Sequence, residues 1–181
     1  MNRLAGSRAY LCGAMDRAAD GGEGWRRMSR AKLKNLEIQW LDPTRKPIDI
    51  GVEDDASKMR RHRNKKAGRY NQVTHEMVSI RGVDLRMVHI CDWLLVNLDL
   101  EVHACGTYRE IFKAVEEEKP TLIHVEQGKE NTPDWLFSEI PDEYFFSTWD
   151  DTFEYVRGVA NGDIEDMYDK WFFFHWMGVK E

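Results

Sequence analysis

The sequence predicts an α/β domain built on a mainly parallel sheet, and two observations carry that expectation. Short apolar runs alternate with amphipathic helical stretches along most of the chain. One of those runs, Trp93-Leu94-Leu95-Val96, is apolar throughout, as a central strand covered on both faces would be. With 181 residues there is enough chain for one core, so a single domain over residues 1–181 is expected.

Each element has its own signal. The first strand is expected at Ala9–Gly13, closed by its glycine. Glycines 21, 22 and 24 precede a helix opening near Trp25, in which Trp25, Met28, Leu33 and Leu36 make an imperfect apolar stripe. Glu37–Leu41 alternates as a second strand and stops at the turn signal Asp42-Pro43. Residues 44 to about 72 show no clear periodicity and read as a long functional or mobile loop. Val83, Met87, Val88 and Ile90 fit a helix from Val78 to Cys91, and Trp93–Val96 follows as the third strand. Tyr108, Ile111, Phe112 and Val115 share one face of a helix over Thr107–Glu118, before a strand at Thr121–Val125. A short strand at Tyr144–Phe146 and helices over about Asp150–Val159 and Ile164–Phe174 complete the pattern. The aromatic tail Trp171–Trp176 is too apolar to be left in water. It is expected on the core, with a contact between copies in a homo-oligomer as the alternative.

Composition excludes several classes. Hydrophobic residues make up 42% and charged residues 32%, which excludes a disordered chain. No apolar run approaches the ~20 residues that span a bilayer, so no membrane partner is expected. Met1–Ala14 has Arg3 and Arg8 but no sustained apolar stretch, so no signal peptide is expected and the default compartment is cytoplasmic. Cys12, Cys91 and Cys105 are odd in number and widely spaced, which argues against a disulfide framework and a CxxC zinc site. The six histidines have neither HxxxH nor HExxH spacing, so no metal is expected.

The net charge of −6 is uneven. Residues 1–76 hold 17 basic and 10 acidic side chains, whereas 126–181 hold 4 and 14. Such an acidic C-terminal third disfavours a duplex nucleic-acid partner. The basic character concentrates in Lys58–Lys66, where six of nine residues are Lys or Arg. That run reads either as a solvated loop or exposed helix face, or as a mobile loop meeting a phosphate or another anion.

In a parallel sheet, ligands bind beyond the carboxyl ends of the strands. That rule selects Gly13–Asp16, Asp42–Thr44, Asn97–Gly106 and Glu126 onward. The densest polar group there is Asn97, Asp99, Glu101, His103, Gly106, Thr107 and Glu110. Spacing alone favours a capping box in Thr107-x-x-Glu110, with Thr107 as cap and Glu110 reaching back. The other reading uses Glu110 as a nucleophile, kept ionised by the helix dipole. By the same reasoning Asp84 is an ordinary exposed acid, Asp92 a structural cap, and Tyr10 a packed aromatic whose hydroxyl finds one partner. A thiol nucleophile at Cys105, beside His103, is outweighed by a buried, inert cysteine. Neither a P-loop nor GxGxxG occurs, since Gly21-Gly22-Glu23-Gly24 fits neither.

Three blocks in order resemble the nucleoside 2-deoxyribosyltransferase family, which also contains nucleotide N-glycosidases. They are Tyr10-Leu-Cys-Gly-Ala-Met15 followed by Trp25-Arg26; Trp40-Leu-Asp-Pro-Thr44; and Asp84-Leu-x6-Asp92-Trp-Leu-Leu-Val-Asn97 with Gly106-Thr-x-x-Glu110 and Lys119-Pro120. Together they span roughly residues 9 to 125. The resemblance implies a flavodoxin- or Rossmann-like three-layer sandwich with a five-stranded sheet, and cleavage of the N-glycosidic bond of a 2'-deoxynucleoside or deoxynucleotide. Glu110 falls on the family's nucleophile, Tyr10 on the tyrosine that orients it, and Asp84 on the aspartate that hydrogen-bonds or protonates the leaving base. Gly13, Asp42, Asp92, Asn97, His103, Gly106 and Thr107 are the expected substrate-binding positions. The chemistry is that of a retaining glycosidase and calls for no metal or organic cofactor. A second base as acceptor gives transfer, and water gives hydrolysis.

The chain also departs from the family pattern. Ile111-Phe-Lys-Ala114 replaces the usual leucine and glycine before the alanine. Ala104 stands where transferases carry an acid for the sugar 5'-hydroxyl and nucleotide hydrolases tend to carry serine. Neighbouring subunits complete sites in this family, and Asn131 and Glu181 are the candidates for that role. The main expectation is therefore a transferase acting in nucleotide metabolism. Its alternatives are a deoxynucleoside 5'-monophosphate N-glycosidase and a non-catalytic nucleotide-binding module.

Overall fold

Strand-forming apolar residues organise the sheet from its centre outward. The computed structural model describes residues 2–15, 18–164, 170–171 and 173–174. Strand β3 (Trp93–Leu98) lies in the middle, and all six of its residues are buried. It pairs in parallel with β1 (Arg8–Gly13) on one side and with β4 (Thr121–Val125) on the other. Strands β2 (Gln39–Leu41) and β5 (Phe145–Phe146) form the edges, giving five parallel strands in the order β2-β1-β3-β4-β5. Each fully buried Leu or Val of β1, β3 and β4 contributes roughly 1.5–3 kcal/mol relative to exposure. Register places Gly13, Asn97, His124 and Phe146 in one row at the carboxyl ends.

The helices among the described residues are α1 (Glu23–Lys32), α2 (Asp55–Lys66), α3 (Tyr70–Ile90), α4 (Cys105–Glu116), α5 (Asp134–Phe137) and α6 (Trp149–Asn161). α3 and α4 pack against β1, and α6 packs against β4 and β5. This is the expected α/β architecture with a parallel five-stranded sheet. None of the described helices is long and apolar enough to cross a membrane.

The largest departures from the sequence reading have local causes. Glu37 has φ of 53°, a left-handed conformation that delays β2 to Gln39. α3 starts eight residues before Val78, because its first two turns are largely exposed and carry no apolar stripe. The supposed loop contains α2, which Asp54 and Ser57 open with a reciprocal capping box. The inward face of α2 consists of Ser57, Arg61 and Asn64, spaced 0, 4 and 7. A polar buried face leaves no hydrophobic periodicity to read.

At the other end of the chain, Trp171 is buried and tilts against Trp93 at 5.8 Å, and Phe173 and Phe174 are packed against the core. The core placement expected for the tail therefore holds for these three residues. The helix expected over Ile164–Phe174 and the candidate Glu181 fall largely or wholly outside the described residues, as does Asp16.

Candidate active site

β1 delivers two side chains to α4. Tyr10 and Cys12 lie two residues apart on one strand and so face the same side of the sheet. Glu110, on the second turn of α4, meets both. The Tyr10 hydroxyl donates to Oε1 at 3.0 Å, and the Cys12 thiol donates to Oε2 at 3.1 Å. The capping box that spacing favoured does not form. Helix α4 already begins at Cys105, so Thr107 lies inside it, buried, with no side-chain cap at Ala104. Glu110 is thereby turned toward the strand instead of back toward the helix start.

Its ionisation differs from expectation as well. Burial pushes the Glu110 carboxyl up to about 7, against the Cys12 hydrogen bond that pulls it down; the Asp84 charge adds to the rise and Tyr10 opposes it. The helix dipole does not keep this acid strong, because desolvation outweighs it. Tyr10 and Cys12 are themselves shifted well upward, chiefly by burial and then by the Glu110 charge, so both hold their protons and remain donors.

Glu110 sits at the edge of a cleft of ≈ 700 Å³, within the size range of small-molecule sites. Gly13, Ala14 and Met15 border it from β1, and His103 to Thr107 from the start of α4. Asp84, Arg81, Met77 and Val78 line it from α3, with Arg61 and Lys65 from α2. Asp84 is buried, not exposed as its sequence context suggested. Burial pushes its carboxyl up, and Lys46 pulls it down from 2.7 Å away. The Lys46 side chain is 1% exposed, and its ammonium also donates to the Gly51 carbonyl.

Gly13, His103, Gly106, Thr107, Asp84 and Glu110 therefore border one cleft, and Tyr10 touches it through Glu110. A Cβ at Gly13 would come within 2.9 Å of the Trp25 ring and 3.0 Å of the Asn97 carbonyl, so packing requires that glycine. A Cβ at Gly106 would meet nothing within 4 Å, so the fold itself does not require this one.

Three expected binding residues are not brought to the cleft. Asp92, at the amino end of β3, accepts from the Arg8 backbone N–H at 2.7 Å and guanidinium at 3.0 Å, which ties β3 to β1 at the far end of the sheet. Asp42 accepts from the Thr44 backbone at 2.9 Å and pairs with Arg30 and Arg26, locking the turn after β2 to α1. Asn97 accepts from His124 Nδ1 at 2.8 Å and donates to Glu126, bridging β3 and β4.

The basic run is a helix in which Arg60 and Arg61 are held in ion pairs. Arg61, buried, donates to Glu76 at 2.9 Å and Glu53 at 3.3 Å, and Arg60 pairs with Glu76 at 3.1 Å. Glu76 lies below the usual carboxylate range although burial pushes it up, because both arginines hydrogen-bond to it. Sequence reasoning also missed Cys12, Lys46 and Arg81. The period of β1 places Cys12 beside Tyr10, which is a usable signal; nothing local marks Lys46.

No protein-family model and no curated protein matches the sequence. Solved structures do match. The 2-desoxiribosyltransferase from Leishmania mexicana is 19% identical over 83% of this chain and 97% of its own, with a TM-score of 0.48. The 2-deoxyribosyltransferase from Bacillus psychrosaccharolyticus is 14% identical over 91% of this chain and 96% of its own, with a TM-score of 0.54. The chain thus shares the fold of the Bacillus enzyme along nearly all of its length, while chemistry has to be argued from the cleft.

Proposed function

We propose that the protein is a nucleoside 2-deoxyribosyltransferase-like enzyme that cleaves the N-glycosidic bond of a 2'-deoxynucleoside and passes the sugar to another base. The observation that supports this most is the Glu110 carboxyl at the cleft, with one donor on each oxygen and Asp84 in the same cavity. In the proposed reaction, ionised Glu110 attacks the anomeric carbon as the bond from that carbon to the base nitrogen breaks. The bonding pair leaves with the base, and Asp84 hydrogen-bonds or protonates the departing ring. An acceptor base then attacks the glycosyl ester and returns the carboxylate. Tyr10 holds one oxygen of that carboxyl through its hydroxyl. The fold shared with the Bacillus enzyme, whose name carries this activity, is consistent with the reading.

A chromatographic assay tests it. Each deoxynucleoside and deoxynucleoside monophosphate is incubated with and without a free acceptor base, with Glu110→Ala as control. New nucleoside formed only with acceptor is the expected result. Ligand binding without base release, unchanged in type by Glu110→Ala, would instead establish a non-catalytic module.

One observation favours a second reading, hydrolysis of a deoxynucleoside 5'-monophosphate. Lys65, Arg81 and Arg109 line the cleft, and Ala104 supplies no carboxylate to repel a phosphate. Free base released from monophosphates alone, without acceptor, is its signature.

A further inference from the structure

We propose that Cys12 is a positioning residue for Glu110, its thiol holding the carboxyl oxygen that Tyr10 does not. The proposal rests on the reading of Glu110 as nucleophile, but its geometric part does not. Cys12 is fully buried, and its sulfur lies 3.1 Å from Glu110 Oε2. Its alternative acceptor, the Thr107 carbonyl, is more distant at 3.7 Å. A cysteine that only fills space has apolar neighbours and no specific acceptor; this one meets a carboxylate.

With Tyr10 alone, the carboxyl could turn about its own axis while keeping one hydrogen bond. The second donor, two residues along the same strand, removes that freedom and so fixes the plane of the carboxyl group. Both donors are fully buried residues of β1, a strand paired on each side by a neighbouring strand, so the orientation is set before any ligand enters. A donor also favours the ionised carboxylate over the acid. Burial works the other way, and the thiol, which itself resists ionisation, offsets part of that effect without adding charge beside the nucleophile.

The test titrates the carboxyl directly. Protein carrying carboxyl-labelled glutamate is followed by carbon-13 NMR against pH, with the Glu110 resonance assigned by its loss in Glu110→Gln. Cys12→Ala, the volume-matched non-donor Cys12→Val and the donor-retaining Cys12→Ser are compared with wild type. The expected result is an upward move of the Glu110 midpoint by about one pH unit in Cys12→Ala and Cys12→Val. Cys12→Ser should lie at or below wild type, and the acid limb of kcat/KM should follow the NMR midpoints. An unchanged midpoint in Cys12→Val, or the same upward move in Cys12→Ser, would overturn the proposal by assigning the effect to packing. The NMR readout needs no turnover. Expected midpoints in a protein that exchanges and releases no base would sink the enzymatic reading and leave the Cys12–Glu110 link standing.

Discussion

The two walls of the cleft solve opposite physical problems. On the sheet side, Glu110 is held by Tyr10 and Cys12, two uncharged, fully buried donors on one strand. On the side of α2 and α3, Asp84 is held by a lysine, and Arg61 joins Glu53 and Glu76 in a network of full charges. Neutral donors leave a buried carboxyl weakly acidic, whereas a cation alongside pulls it back toward its ionised form. The comparison teaches a division of labour. The sheet fixes a group whose protonation is poised near neutrality, and the helical pair supplies charge around the cleft.

The largest expected effect is on the sheet wall. Glu110→Gln should lower turnover by on the order of 10³-fold or more, read by base release. The same substitution should raise stability at pH 8. Folded Glu110 keeps its proton up to about 7 whereas a glutamate in the unfolded chain loses it near 4.5, so folding stability falls as pH rises between those values. Removing the titration should recover up to ~3 kcal/mol above pH 7 and nothing below pH 4, as thermal unfolding at both pH values would show. No gain at pH 8 would mean that the two walls do not differ in this way.

On the charged wall, Arg61→Met should destabilise the protein by about 3 kcal/mol at pH 7, because Glu53 and Glu76 stay partly buried after losing a shared cation. Denaturant unfolding measures it. A loss under ~1 kcal/mol would make the network an ordinary surface one.

Lys46→Met should act through Asp84, moving its ionisation further up, since burial then acts without the ammonium at 2.7 Å. The expected consequence is an upward shift of the limb that Asp84 sets, distinct from the acid limb that Glu110 sets near 7. A profile that shifts only at the Glu110 limb would assign Lys46 to the wrong carboxyl. The smallest effect sharpens substrate identity. Lys65→Gln and Arg81→Gln should each raise KM for a monophosphate several-fold, by roughly 1 kcal/mol, and leave a nucleoside unaffected. Equal changes for both substrates would remove phosphate from the account.

The same contrast explains what the sequence could disclose. The sheet wall is legible because its signals are mostly hydrophobic: Trp93–Val96 and Thr121–Val125 are short, largely apolar runs of the kind that buried strands carry. Their carboxyl ends then point to Gly13, His103, Gly106 and Glu110. The helical wall is not legible, because Ser57, Arg61 and Asn64 bury a polar face that carries no apolar period. Lys46 meets Asp84 from 38 positions away in the sequence, a contact that no local pattern encodes. Asp42, Asp92 and Asn97 mislead for a related reason. A polar residue at a strand end serves equally well to tie two strands together, and spacing does not separate that use from ligand binding.

The central claim is that Glu110 forms a bond to the sugar. Intact-mass spectrometry of the protein during turnover of a deoxynucleoside, quenched with acid and followed by peptide mapping, tests it most directly. The account predicts an added mass of one deoxyribosyl group on the peptide containing Glu110, absent in Glu110→Gln. Base release by the wild-type protein with no adduct trapped, or an adduct that persists in Glu110→Gln, would contradict it.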